Sequence, residues 1–229
     1  MSGEASCSGA IAGREFFLDD WSSHRYTACM NTATSRSTDA RAKILANGQR
    51  IMSGKGFAAV GINEILVAAG VPKGSFYHYF DSKDAYGEAL LENYFEEYLA
   101  GLEATLTAPG QSVAERLMNY WQEWQEVQSF SGCQGKCLTV KLGAEVADLS
   151  EAMRLSLKRG STSVIARLAQ AIEEGVLEGS VAIDGKPAEV AQTLYQLWVG
   201  ASVMAKIVRS TQPFESALAA TRLALHLPA

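Results

Sequence analysis

Two thiols stand four positions apart in the stretch CQGKC, as Cys133 and Cys137. Such a pair admits four chemistries: part of a metal site, a disulfide, a reactive thiol, or two small core residues. A structural zinc site takes about four ligands, and this spacing supplies two. The three histidines, His24, His78 and His226, lie far away in sequence. No metal site and no cofactor are therefore expected. A thiolate is favoured by nearby positive charge and by a helix N-terminus. Cys137 follows Lys136 and opens the helical stretch LTVKL. It is the candidate reactive thiol, with Cys133 placed to resolve a sulfenate on it or to stand idle. Packing alone also accounts for Cys137, because free cysteine is among the most buried residue types.

A second group of chemically able residues sits in PKGSFYHYF. Lys73, Gly74, Ser75, Tyr77, His78 and Tyr79 crowd one short segment, and Lys83 follows it. Hydroxyl, imidazole and ammonium donors suit phosphate oxygens. Gly74 lets a backbone approach closely. Phe76 and Phe80, four apart, read as core. A third set, Trp121, Trp124, Tyr195 and Trp198, could line an apolar ligand pocket. At helical spacing such aromatics are more often plain core. Lys206 sits in the otherwise apolar run WVGASVMAKIV, so it must reach a partner or extend to water.

The elements that must position these residues are helices. The periodicity predicts a first helix from Thr38, as N-cap, to the stop at Gly54 and Gly56. A second covers 61–69, ended by Gly70, and a third covers 72–79, with Pro72 in its first turn. A long fourth helix starts after Ser82 and ends before Pro109-Gly110, burying Ala85, Leu90, Leu91, Tyr94, Phe95, Tyr98 and Leu102. Five more are predicted at 111–130, 137–147, 149–177, 186–209 and 213–226. Strand signals are nearly absent, so the expected class is all-α. Three helices with a tight Gly-Val-Pro turn form a helix-turn-helix over 35–82, followed by a helical regulatory and dimerisation body over 83–229. The last two helices, rich in Ala, Leu and Val, suit a dimer bundle. Residues 1–34 read as a poorly ordered leader, with Met30 as an alternative initiator.

The bulk numbers agree with a cytoplasmic protein. Hydrophobic residues make up 48% of the 229 residues and charged ones 20%. No apolar run reaches the length of a membrane span, and no secretory signal is evident. Cysteines in that compartment stay reduced at rest. The formal net charge is −5. Yet residues 35–84 carry seven bases against four acids, while 85–229 carry eleven against seventeen. That asymmetry suits a DNA-facing head on an acidic body. No CxxC motif, Gly-rich nucleotide loop or His beside either thiol argues for an enzyme.

The stretch GFAAVGINEILVAAGVPKGSFYHYFDSKDAYGEALL resembles the DNA-binding head of the TetR family of repressors. The resemblance implies a homodimer that binds palindromic operator DNA, with Lys73, Ser75, Tyr77, His78, Tyr79 and Lys83 lining it. The chain departs from the family at the start of the second helix. Val60 and Gly61 stand where the family often has Thr or Ser. CLTVKLGAEVADLSEAMR and LYQLWVGASVMAKIVRS are similar to the NemR-type, electrophile- and oxidant-sensing subgroup. That similarity implies that Cys137 is the sensing thiol, with Lys206 near it. It also implies release of the operator when an electrophile or oxidant modifies the thiol. The alternative is a repressor of the same family induced by a non-covalent apolar small molecule.

Overall fold

The first helix begins four residues before Thr38. The computed structural model describes residues 34–133 and 137–228, with the side chains of 39–129 and 137–228. In it α1 spans Thr34–Lys55. No Gly or Pro stands between 34 and 38 to stop the helix from extending. Asp39 is spent within the helix, accepting from Lys43 one turn on at 2.7 Å. Thr38 is therefore interior and not a cap. The expected leader lies outside the described residues except at Thr34, which already belongs to α1.

The next elements are α2 (Ile62–Ala69), a 3-10 turn over Lys73–Ser75, α3 (Phe76–Tyr79) and α4 (Lys83–Leu106). Gly70 takes φ 64°, a left-handed cap that lets the chain reverse between α2 and the recognition segment. The third helix is not continuous. Pro72 stays extended outside it, and Ser75 N–H closes a tight turn onto Pro72 O at 2.9 Å. Ser82 caps α4 by accepting from Ala85 N–H at 3.0 Å.

The body consists of α5 (Val113–Cys133), α6 (Leu138–Leu149), α7 (Glu151–Glu178), α8 (Pro187–Val208) and α9 (Gln212–Ala224). Each predicted body helix is present, with ends shifted by a few residues. There are nine α-helices and no strand among the described residues. None of the described helices is long and apolar enough to cross a membrane. Helix α7 packs against α4, α5, α6 and α8, and α8 packs against α9.

One hydrophobic core runs through head and body. In the head, Phe76, Phe80 and Tyr86 cluster with ring centroids 5.0–5.4 Å apart. Phe76 and Phe80 are buried, as their spacing predicts. In the body, Trp121 stacks on Trp198 at 5.0 Å, and Trp198 on Phe214 at 6.1 Å.

Candidate functional site: an exposed recognition helix and a buried thiol

The short α3 segment presents two faces. Phe76 points inward, and Tyr79 is half-buried against the core. Lys73, Gly74, Tyr77 and His78 are exposed, and Ser75 is half-buried. Tyr77 keeps 60% of its surface in solvent. Among the described residues, nothing covers this aromatic ring. Val60 is fully buried, and Gly61 caps α2 from an extended conformation without a side-chain bond. The α2 start thus offers backbone N–H groups and no hydroxyl.

Lys83 does not share the exposed face. It is half-buried, and its ammonium donates to Phe57 O at 2.9 Å and Ala58 O at 3.5 Å. It also lies 4.6 Å from the centre of the Phe57 ring. Its charge is engaged with the turn between α1 and α2, a role its sequence position does not announce.

Cys137 caps α6 from an extended backbone conformation, and its carbonyl accepts the first helical bond from Lys141 N–H at 3.0 Å. Only 8% of the residue is exposed. The Tyr94 hydroxyl donates to Cys137 Sγ at 3.5 Å. Around this pair the Tyr98 and Tyr120 hydroxyls share a 2.6 Å bond, and the Tyr195 hydroxyl donates to Ser161 Oγ at 3.4 Å. Burial pushes the pKa values of Tyr94, Tyr98, Tyr120 and Tyr195 up. For Tyr94 the next contribution is the neighbouring Cys137.

Lys206, half-buried on α8, has its pKa pulled down first by burial. The neighbouring Cys137 opposes this, and Lys141 adds to it. The structure therefore brings Cys137, Lys141 and Lys206 into one electrostatic neighbourhood, on the start of α6 and the end of α8. Cys133 is the last residue of α5. Its side chain, and with it a Cys133–Cys137 disulfide or resolving contact, lies outside the described residues. Among those residues no group of three or more His, Cys, Asp or Glu could hold a metal ion.

Trp121, Trp124, Tyr195 and Trp198 are all brought together, and all are buried. They fill the space between their helices by packing on one another. Trp124 Nε1 donates to Ser202 Oγ and Trp198 Nε1 to Thr221 Oγ1, each at 2.9 Å. In this arrangement the four rings act as core, the more frequent role of aromatics at such spacing.

Two residues escaped the sequence reading. Tyr94 reads there as part of the buried stripe of α4, and nothing in its spacing signals a thiol partner. Glu145, in α6, accepts from Ala58 N–H at 2.7 Å and Phe57 N–H at 3.1 Å. Its partners lie 87 and 88 positions away, beyond the reach of any local pattern.

The comparisons with known proteins cover both parts. Residues 44–90 match the model described as bacterial regulatory proteins, tetR family. Residues 113–221 match the tetracyclin repressor-like C-terminal domain. The HTH-type transcriptional repressor NemR of Escherichia coli strain K12 is 42% identical over 200 residues, which are 87% of this chain and 100% of that one. The HTH-type transcriptional repressor DhaR of Mycobacterium sp. strain GP1 is 30% identical over 181 residues, 79% of this chain and 89% of that one. The crystal structure of E. coli NemR in its reduced form superposes with a TM-score of 0.79 at 43% identity, covering 83% of this chain and 99% of that one. With the head, the body and a full-length relative all in agreement, the chain belongs to the TetR family of bacterial regulatory proteins.

Proposed function

We propose that the protein is a homodimeric transcriptional repressor that binds a palindromic operator through residues 72–80 of each protomer and releases it when Cys137 is modified. The observation that carries the reading is the setting of Cys137. It is a helix-start thiol with a phenol hydrogen-bonded to its sulfur and lysines in its field. A hydrogen bond to the charged form of a thiol favours that form, as does a nearby cation. The similarity to NemR supports the same reading.

The chemistry is nucleophilic addition. The thiolate sulfur bonds to the electron-poor carbon of a maleimide or quinone, the π electrons move to the carbonyl oxygen, and a proton from solvent completes the adduct. With hypochlorous acid the sulfur takes chlorine and hydroxide leaves. Water then replaces chloride to give the sulfenic acid. Either product is larger than the thiol in a site with little free surface, so the start of α6 must shift. Release then follows as a population shift between two spacings of the heads.

The apolar outer face of α8 supports the dimer. Leu197, Val203, Met204 and Ile207 are exposed there, Ile207 by 67%, while Ala191, Leu194, Trp198 and Ala205 face inward. A helix apolar on both sides seeks a second partner.

The test is operator binding by wild type and Cys137→Ser before and after treatment with N-ethylmaleimide or hypochlorite. The variant should bind operator as wild type does and stay bound after treatment. Normal release by the serine variant would overturn the sensor reading. Release of that variant by an untreated apolar compound, together with thermal stabilisation, would instead identify a non-covalent inducer.

A further inference from the structure

Cys137 caps the start of helix α6, and two turns along the helix Glu145 touches the head. Leu138, Leu142 and Val146, at successive i, i+4 positions, are fully buried and seat it as one rod. Glu145 lies eight residues beyond Cys137, roughly 12 Å along the axis. Its two carboxylate oxygens divide the work. Oε1 accepts from Ala58 N–H at 2.7 Å and Oε2 from Phe57 N–H at 3.1 Å. These amides belong to the turn joining α1 to α2.

The same turn is held from its other side. Lys83 donates to the carbonyls of those two residues, Phe57 O and Ala58 O. An anion on the N–H groups and a cation on the C=O groups clamp a single dipeptide. The preceding Gly56 takes φ 92°, and a Cβ there would stand 2.8 Å from Glu145 Oε2. The turn is thus shaped to receive the carboxylate closely. Phe57 is buried, so the dipeptide cannot move without the head core moving.

We infer that Glu145 is a positioning residue that fixes the helix-turn-helix head on the body and transmits a displacement at the start of α6 to the DNA-binding face. The first half stands on the hydrogen bonds alone, and the second rests on the sensor reading of Cys137. A rod seated at three buried positions passes a shift at its N-terminus along to Glu145. There its carboxylate pulls on the α1–α2 turn. The turn sets the start of α2, and α2 carries the recognition segment.

The experiment compares wild type, Glu145→Ala and the near-isosteric Glu145→Gln. Hydrogen exchange is read at the amides of Phe57 and Ala58, and operator affinity is read with and without N-ethylmaleimide, with adduct mass confirming equal modification of Cys137. Glu145→Ala should exchange faster at both amides and bind operator about tenfold more weakly, the loss expected for a charge-assisted hydrogen bond. Its affinity should then change less than twofold on alkylation. Glu145→Gln keeps one acceptor oxygen, so it should fall between the two and guards against a folding defect. Wild-type exchange and wild-type release in both variants would overturn the inference. If alkylation leaves wild-type affinity unchanged while Glu145→Ala still loosens the turn and weakens operator binding, the positioning role stands and the sensor reading fails.

Discussion

The phenol of Tyr94 donates to the sulfur of Cys137 across 3.5 Å, joining the middle of α4 to the first residue before α6. Helix α4 opens at the head and passes through the body, so the thiol is bonded to the helix that links the two.

That bond predicts how Tyr94→Phe behaves. Removing the hydroxyl takes a hydrogen-bond donor from Cys137 Sγ and leaves the ring in place. Alkylation of Cys137 at neutral pH should slow by roughly tenfold, the value of one hydrogen bond to a charged group. Rates measured by mass spectrometry with limiting N-ethylmaleimide test this. A faster reaction would mean that access, and not charge stabilisation, controls the thiol.

The buried phenols predict alkaline instability. Burial raises the pKa of Tyr86, Tyr94, Tyr98, Tyr120 and Tyr195 above the ordinary 10.0. A raised folded-state pKa gives stability that is fully present below the unfolded value and lost as pH climbs past it. Each such tyrosine adds a slope of about 1.4 kcal/mol per pH unit above about pH 10. Lys206 acts in the opposite sense. Its lowered pKa makes the unfolded chain the better proton binder up to the ordinary 10.5, but it is one group against five. Urea unfolding between pH 9 and 12 should show stability falling steeply, and Tyr86→Phe should reduce the slope by one proton. An unchanged slope would refute the assignment for Tyr86.

Gly48 predicts a steric defect in the head. A Cβ at this position would stand 1.5 Å from Tyr86 Oη and 2.8 Å from its Cζ. Tyr86 is fully buried and donates to Ile44 O at 3.3 Å, so it cannot swing away freely. Overpacking costs up to about 3 kcal/mol, against about 1 kcal/mol gained from helix propensity. Gly48→Ala should therefore destabilise by about 2 kcal/mol in chemical denaturation. Adding Tyr86→Phe removes the clashing oxygen and should recover part of the loss. Additive effects in the double variant would contradict this account.

The two lysines of the head should separate in a salt titration. Lys73 is exposed, whereas Lys83 is engaged with the α1–α2 turn. Lys73→Ala should weaken operator binding and reduce the slope of log affinity against log salt by about one. Lys83→Ala should lower the unfolding midpoint and leave that slope closer to wild type. Equal slopes for Lys73→Ala and wild type would remove Lys73 from the DNA contacts.

Much of the fold is legible in the sequence because its signals are local. Gly70, Pro72 and Ser82 mark where helices stop and start, and each serves as such a boundary. The inward turn of Phe76 and Phe80 follows from their four-residue spacing. The start of α1 is not legible locally, because a Thr-Asp pair mimics a cap wherever it occurs. The break in the recognition segment is equally hidden, because Pro72 suits both a first turn and the extended residue before one.

The sequence by itself determined an all-helical chain with a helix-turn-helix head, and it singled out Cys137 and the Tyr77–His78 segment, since residue type and short spacing carry those signals. Only the tertiary structure decided what surrounds them. It set Tyr94 against the thiol, engaged Lys83 with the α1–α2 turn, packed the tryptophans on one another, and placed Glu145 on amides 87 and 88 residues away. The physical reason is distance along the chain. Hydrogen bonds and ion pairs between helices depend on how whole faces pack, and no local period records which residue of one face will meet which residue of another.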